Sequence, residues 1–200
     1  MTEIVEISAS KVKVYIDEEF AFVLYKGELR KYGLKQGNQL AQGDYDELMH
    51  TVLPKRAKLR CMNLLKSRDY TAEQLRNKLR QGYYPPEVVE EAIAYVSSFR
   101  YVDDLRYAVD YINCSHENKS RRRIDNDLQR KGINVETIAR AWEQWQTAGN
   151  EQDEEEQINR LLEKKHFDKE HADRQEVQRM YAFLARRGFD GDKICKVLLK

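Results

Sequence analysis

Five apolar positions recur in three segments of the chain without a gap, and this repeat constrains the fold more than any other feature. Leu75, Ile124 and Met180 correspond; four residues on come Leu79, Leu128 and Leu184; five further come Tyr84, Ile133 and Phe189. The series continues through Val89, Ile138 and Ile194 to Ile93, Trp142 and Leu198. Gly82, Gly132 and Gly188 fall between the second and third positions, the first of them one residue early. Apolar residues four apart on either side of a glycine describe a helix, a left-handed glycine stop and a second helix. Three copies at a period of about 50 residues describe a tandem array.

Each helix pair follows another amphipathic segment: Ala57, Cys61, Leu64 and Leu65 in the first copy, Leu105, Ala108, Val109 and Ile112 in the second, Ile158, Leu161 and Leu162 in the third. Local signals support the boundaries. Thr71 and Gln74 have the spacing of a capping box, Pro85 and Pro86 suit a helix start, and Asp103, Ser120 and Asn134 are good N-cap types. The chain therefore reads as three three-helix modules, 55–100, 101–148 and 149–200. Such modules bury little core alone, so they are expected to stack into an elongated, curved body that binds an extended partner; a compact globule is the alternative.

Residues 1–50 follow another period. Val12, Val14 and Ile16 alternate with Lys11, Lys13 and Tyr15, and Ile4–Ile7 and Phe20–Tyr25 read as flanking strands. A short helix is expected over Glu28–Leu34, a turn at Lys35–Asn38, a helix start at Asp44 and a break or kink at Pro54. Alone this small β-rich cap would be marginal, so it is expected to dock onto the helical chain beyond it. The fold class is thus mainly α, with a β-rich N-terminal cap.

Composition narrows function by exclusion. Only 9 glycines and 3 prolines argue against a loop-rich chain. No GxxxxGK[ST] or GxGxxG motif supplies a phosphate loop, no HExxH is present, and His166 and His171 are poorly spaced for one helix face. No catalytic residue, cofactor or metal is expected. Cys61, Cys114 and Cys195 are far apart and odd in number, so they read as buried thiols in a reducing compartment. With no apolar run of membrane-spanning length and no signal-peptide pattern, the expected location is the cytoplasm.

Charge is uneven. Residues 55–149 carry 18 basic and 13 acidic side chains, whereas 1–54 carry 6 and 9. The sharpest cluster is Lys119, Arg121, Arg122 and Arg123, which opens the second helix of the middle module; Arg130 and Lys131 close it. On a helical wheel Arg122, Asn126 and Arg130 form one exposed stripe with Arg123 beside it. Guanidinium forks suit phosphates or paired carboxylates. Cations in a first turn oppose the helix dipole, a cost that points to a partner outside the helix. The other reading pairs Arg123 with Asp127, and Arg122 with Asn126 or water. A second set, Lys55, Arg56, Lys58, Arg60, Arg76, Lys78 and Arg80, reads as solvated. So does the Glu151–Glu156 run, as a wet connector. Tyr83, Tyr84, Tyr95, Tyr101, Tyr107 and Tyr111 read as core and junction packing rather than as base-stacking rings.

Three segments resemble signatures of the RecX family. Tyr101–Ala108, YVDDLRYA, is similar to its GYLDDxRFA; Lys119–Ile133, KSRRRIDNDLQRKGI, is similar to its KGRRRIxxELxxKGI; Thr71–Leu79, TAEQLRNKL, resembles its S-x-x-EL-x-x-KL stretch. Arg100, Leu105 and Ser120 depart from the pattern, Arg100 and Ser120 where glycine is usual. The resemblance implies a non-enzymatic regulator that lies in the groove of the RecA recombinase–single-strand DNA filament and lowers its ATPase and strand exchange, within recombination, DNA repair and the SOS response. It makes Lys119, Arg121, Arg122, Arg123, Arg130 and Lys131 candidate contacts to RecA or DNA. Asp103 and Asp104 are further candidates, although Asp103 also suits a helix cap. A monomer is expected. The alternative is a helical-repeat DNA-binding protein that acts without a recombinase.

Overall fold

The computed structural model describes residues 1–198 and divides into two compact units, residues 1–103 and the chain from Asp104 onward. Unit 1 opens with an antiparallel sheet of β1 (Thr2–Glu6), β2 (Lys11–Ile16) and β3 (Glu19–Tyr25), paired in that order. Alternation decides its faces: Val12 pairs with Leu24 and Val14 with Phe22, and all four are buried. Asp17 and Glu18 turn the second hairpin with φ of 49° and 70°, as a two-residue hairpin turn requires.

Two short helices follow, α1 (Lys26–Lys31) and α2 (Gln42–Glu47). The first begins and ends earlier than the Glu28–Leu34 expectation, because the Glu28 carboxylate accepts the Tyr25 backbone N–H at 2.8 Å and anchors the start there. The second begins at Gln42, not at Asp44, which lies in its first turn where the dipole favours an acid. Pro54 does not break the chain. A π-turn at Leu48–Val52 runs straight into α3 (Leu53–Leu65), and Pro54 sits in the first turn of that helix, where its missing N–H matters least.

α3, α4 (Ala72–Gln81) and α5 (Pro86–Ser98) make the first module. Its core is continuous with that of the sheet: Val14, Phe22 and Leu24 cluster with Leu53, Ala57, Leu75, Leu79 and Val89. The β-rich cap is thus docked onto this module. Thr71 and Gln74 form the capping box, with the Thr71 hydroxyl accepting the Gln74 N–H at 3.2 Å.

Unit 2 holds α6 (Asp104–Ser115), α7 (Arg121–Arg130) and α8 (Val135–Thr147), then α9 (Glu154–Lys164), α10 (Arg174–Arg186) and α11 (Gly191–Leu198). Ile124, Leu128, Ile133, Ile138 and Trp142 meet in one core, and Leu184, Phe189, Ile194 and Leu198 in another. The Ser120 and Asn134 side chains cap α7 and α8. The two modules touch where the backbone N–H of Ser120 donates to the Arg187 carbonyl at 3.2 Å and Gln152 Nε2 donates to the Lys119 carbonyl at 3.1 Å.

The glycine stops differ between copies. Gly132 and Gly188 are left-handed, with φ of 86° and 87°. Gly82 has φ −83°, and Tyr83 takes the left-handed position at φ 60°. Gly82 is needed for close approach instead, since a Cβ there would stand 3.0 Å from the Tyr84 ring.

Three further expectations change. The acidic run is no wet connector: Asp153 caps α9, and Glu154 and Glu155 pair with Lys193 and Lys196 of α11 at 2.8 and 2.5 Å. Cys61 is buried, but Cys114 and Cys195 are exposed, because each lies on the wet side of its helix. Tyr84, Tyr107 and Tyr111 are half-buried, whereas Tyr83, Tyr95 and Tyr101 stand 40–47% exposed and do not pack as core.

Candidate functional site

The basic cluster of the middle module is built on α7, whose buried side is Ile124 and Leu128. This register turns Arg122, Asn126 and Arg130 outward, all exposed, with Arg123 half-buried at their flank. The Ser120 hydroxyl accepts the Arg123 N–H at 3.2 Å, so the helix starts with its cap satisfied although no acid occupies the first turn.

Asp127 is the electrostatic centre. Its side chain is only 12% exposed and accepts from Lys119 Nζ at 2.9 Å and from the Tyr111 hydroxyl at 3.1 Å. Arg123 Nε approaches it at 3.3 Å and Arg130 at 3.9 Å. Burial alone would raise the Asp127 pKa, but the hydrogen bonds from Lys119 and Tyr111 and the Lys119 and Arg123 charges outweigh it and hold the carboxyl below its ordinary value. Burial likewise opposes the charge on Lys119, yet its hydrogen bonds to Tyr111 and Asp127 leave the ammonium held above its ordinary value.

The candidate cations therefore divide. Lys119 and Arg123 are engaged by Asp127. Arg121 lies over the Trp142 ring at 4.9 Å, and the Trp142 indole N–H donates to Asp125 at 2.7 Å. Lys131 lies over the rings of Tyr107 and Tyr111 at 5.7 and 5.3 Å. Arg122 forms no ion pair among the described residues, and the pairing with Asn126 is not made. Arg130, 69% exposed, has only its 3.9 Å approach. The outward charge of α7 thus rests on Arg122 and Arg130. Asp103 is exposed at the end of unit 1 and immediately precedes α6, which half-buried Asp104 opens.

Tyr107 and Tyr111, whose spacing reads as packing, and Trp142, a core position of the repeat, join the cluster. The Arg123–Asp127 pair is visible as an i,i+4 spacing; the Lys119 and Tyr111 contacts cross a loop and a helix pair and leave no periodic trace. Among the described residues no three His, Cys, Asp or Glu side chains are placed to hold a metal ion, and no helix is long and apolar enough to cross a membrane.

The chain is thus a mainly helical protein of three-helix modules that carries a cationic helix on the middle module. Family models match three segments of it: RecX first three-helix domain at residues 57–95, RecX second three-helix domain at 103–141, and RecX third three-helix domain at 152–198. The chain belongs to the RecX family of regulatory proteins. It is 28% identical over 191 residues to the regulatory protein RecX of Caldanaerobacter subterraneus subsp. tengcongensis, covering 95% of this chain and 93% of that one. It is 32% identical over 146 residues to that of Trichlorobacter lovleyi, covering 71% and 93%. Two crystal structures share the fold. A regulatory protein RecX has TM-score 0.60 at 20% identity over 100% of both chains, and RecX from Lactobacillus salivarius has TM-score 0.53 at 17% identity over 74% and 95%. Arg100, where the family signature has glycine, adopts φ 56°, which explains why glycine is favoured there.

Proposed function

We propose that this protein binds the RecA recombinase–single-strand DNA filament and lowers its ATPase and strand-exchange activity, acting in the cytoplasm as a monomer without cofactor or metal. The observation that carries this reading is the run of three RecX three-helix domains over residues 57–198, the middle one bearing the cationic face of α7. Arg122 and Arg130 are the primary contacts, with Arg121 and Lys131 beside them. Lys119 and Arg123 order the cluster through Asp127, and Asp103 and Asp104 offer acidic contacts to basic recombinase loops. Charge-assisted contacts contribute about 1.5–3 kcal/mol each, so Arg122→Glu with Arg130→Glu should weaken filament binding by roughly two orders of magnitude or more. Neither side chain supports the core, so circular dichroism should be unchanged. A double variant that inhibits recombinase ATPase at the wild-type concentration would refute the assignment. Retention on the filament at a salt concentration that abolishes binding to naked DNA separates this function from that of a plain DNA-binding protein.

A further inference from the structure

Unit 1 holds a second gathering of cations, remote in sequence from α7. A cavity of about 420 Å³ opens between the sheet and the α3–α4 side of the first module. Lys11, Arg56, Arg60 and Lys78 line it, and among the described residues no carboxylate does. Arg56 is tied to the sheet, donating to the Val23 carbonyl at 3.2 Å and pairing with Glu28. Lys11, Arg60 and Lys78 form no ion pair among the described residues, and all three are exposed. Outside the cavity, Lys58 pairs with Glu91, Arg76 with Glu90 and Arg80 with Glu73, whereas Lys55, Lys66 and Arg68 form no ion pair among the described residues and do not line this concavity. Unpaired charges of one sign around a concavity favour an anion, and guanidinium and ammonium groups together suit phosphate.

Aromatic rings border the same cavity. Tyr25 lies under Arg56 at 4.7 Å and Lys11 at 5.4 Å. Tyr83 lines the cavity, contacts Phe20 edge-on at 6.2 Å and carries Lys13 Nζ over its ring at 4.3 Å. Phe20, Tyr25 and Tyr83 are 41–42% exposed, so rings that could have packed inward are left in water. Tyr83 is also held at φ 60°, a backbone cost that a glycine there would not carry. Cations beside exposed rings are the chemistry by which proteins track a sugar–phosphate backbone while stacking its bases. An acidic peptide would use the cations but leave the rings without a role.

We propose that this cavity and the ring-bearing sheet face beside it bind a single-stranded polynucleotide. A backbone phosphate sits between Arg60 and Lys78, and unpaired bases lie against Tyr83 and Phe20. The site belongs to unit 1 alone and needs no recombinase, so its failure leaves the filament reading standing, and the converse holds.

The test is fluorescence anisotropy of the full chain with a labelled oligothymidylate of about 12 nucleotides, within the usual site sizes, at several salt concentrations. Arg60→Glu with Lys78→Glu, both exposed and unpaired, should weaken binding tenfold or more and flatten the logarithmic salt slope by about 1.4, or 0.7 per lost phosphate contact. Tyr83→Gly, which removes the ring and relieves the backbone, should weaken binding about fivefold with the slope unchanged. Arg122→Glu with Arg130→Glu should retain binding at this site. Four results would overturn the proposal: no oligonucleotide binding by the wild type, wild-type affinity in the Arg60/Lys78 variant, equal competition by polyglutamate of the same length, or binding of pyrophosphate alone.

Discussion

Gly188→Ala measures how tightly the third module is seated on the start of α7. Gly188 has φ +87°, and an alanine Cβ there would stand 2.7 Å from Arg123 Cβ, 2.7 Å from Ser120 Oγ and 3.3 Å from the Arg123 nitrogen. Carbon atoms prefer about 3.5–4.0 Å, so the α10–α11 turn must retreat by about 1 Å. Arg123 Cβ cannot yield, because it is fixed to the first turn of α7. The retreat stretches the hydrogen bond from the Ser120 N–H to the Arg187 carbonyl, worth about 1 kcal/mol, and disturbs the Ser120 cap, worth about another. The left-handed backbone adds about 1–2 kcal/mol for any L side chain. The expected loss is about 3–4 kcal/mol. Gly149→Ala supplies the control: its φ is +85°, and nothing lies within 4 Å of an added Cβ, so only the backbone cost of about 1–2 kcal/mol applies. Urea titration followed by the fluorescence of Trp142 and Trp145, both buried in the middle module, reads the difference. Hydrogen exchange at the Arg123 amide should quicken in Gly188→Ala alone. Equal losses in the two variants, within about 0.5 kcal/mol, would refute the seating of the third module on α7.

Leu128→Ala should destabilise by about 2–5 kcal/mol, since Leu128 is fully buried, whereas half-buried Met180→Ala should lose about 1 kcal/mol or less; a thermal melt showing less than about 0.5 kcal/mol for Leu128→Ala would contradict the repeat register, and equal losses would contradict the half-buried placement of Met180. Asp127→Asn should cost about 1–3 kcal/mol at neutral pH. Because the folded Asp127 carboxyl titrates below its unfolded value, the wild-type advantage should be complete above about pH 5 and fade as pH falls through the ordinary aspartate range and below; a gap unchanged down to pH 3 would count against the hub. Burial pushes the Cys61 thiol up to about 11 against a smaller opposing pull from Arg60, so a thiol reagent at pH 8 should modify Cys114 and Cys195 in the native protein and Cys61 only on unfolding; three equal rates would refute this.

Much of the fold is legible locally. Apart from half-buried Tyr84 and Met180, the repeated apolar positions from Leu75 to Leu198 are buried as their spacing predicts, and the Thr71–Gln74 capping box and the Ser120 and Asn134 caps fall where theirs does, because helix periodicity and capping depend on residues within one turn of each other. The outward stripe of Arg122 and Arg130 follows from the same register. Other features were decided by tertiary packing. Tyr83 rather than Gly82 takes the left-handed turn, since the Tyr84 ring needs the bare Cα of Gly82. The acidic run beginning α9 is paired because α11 brings Lys193 and Lys196 against it. Lys119 is engaged whereas Arg122 has no ion-pair partner among the described residues, although they stand three residues apart in one basic run, because Asp127 and Tyr111 meet at only one of them. Near-neighbour spacing sets which face of a helix is wet. Whether a charge on that face is engaged or available depends on groups that sequence separates and packing brings within about 3 Å.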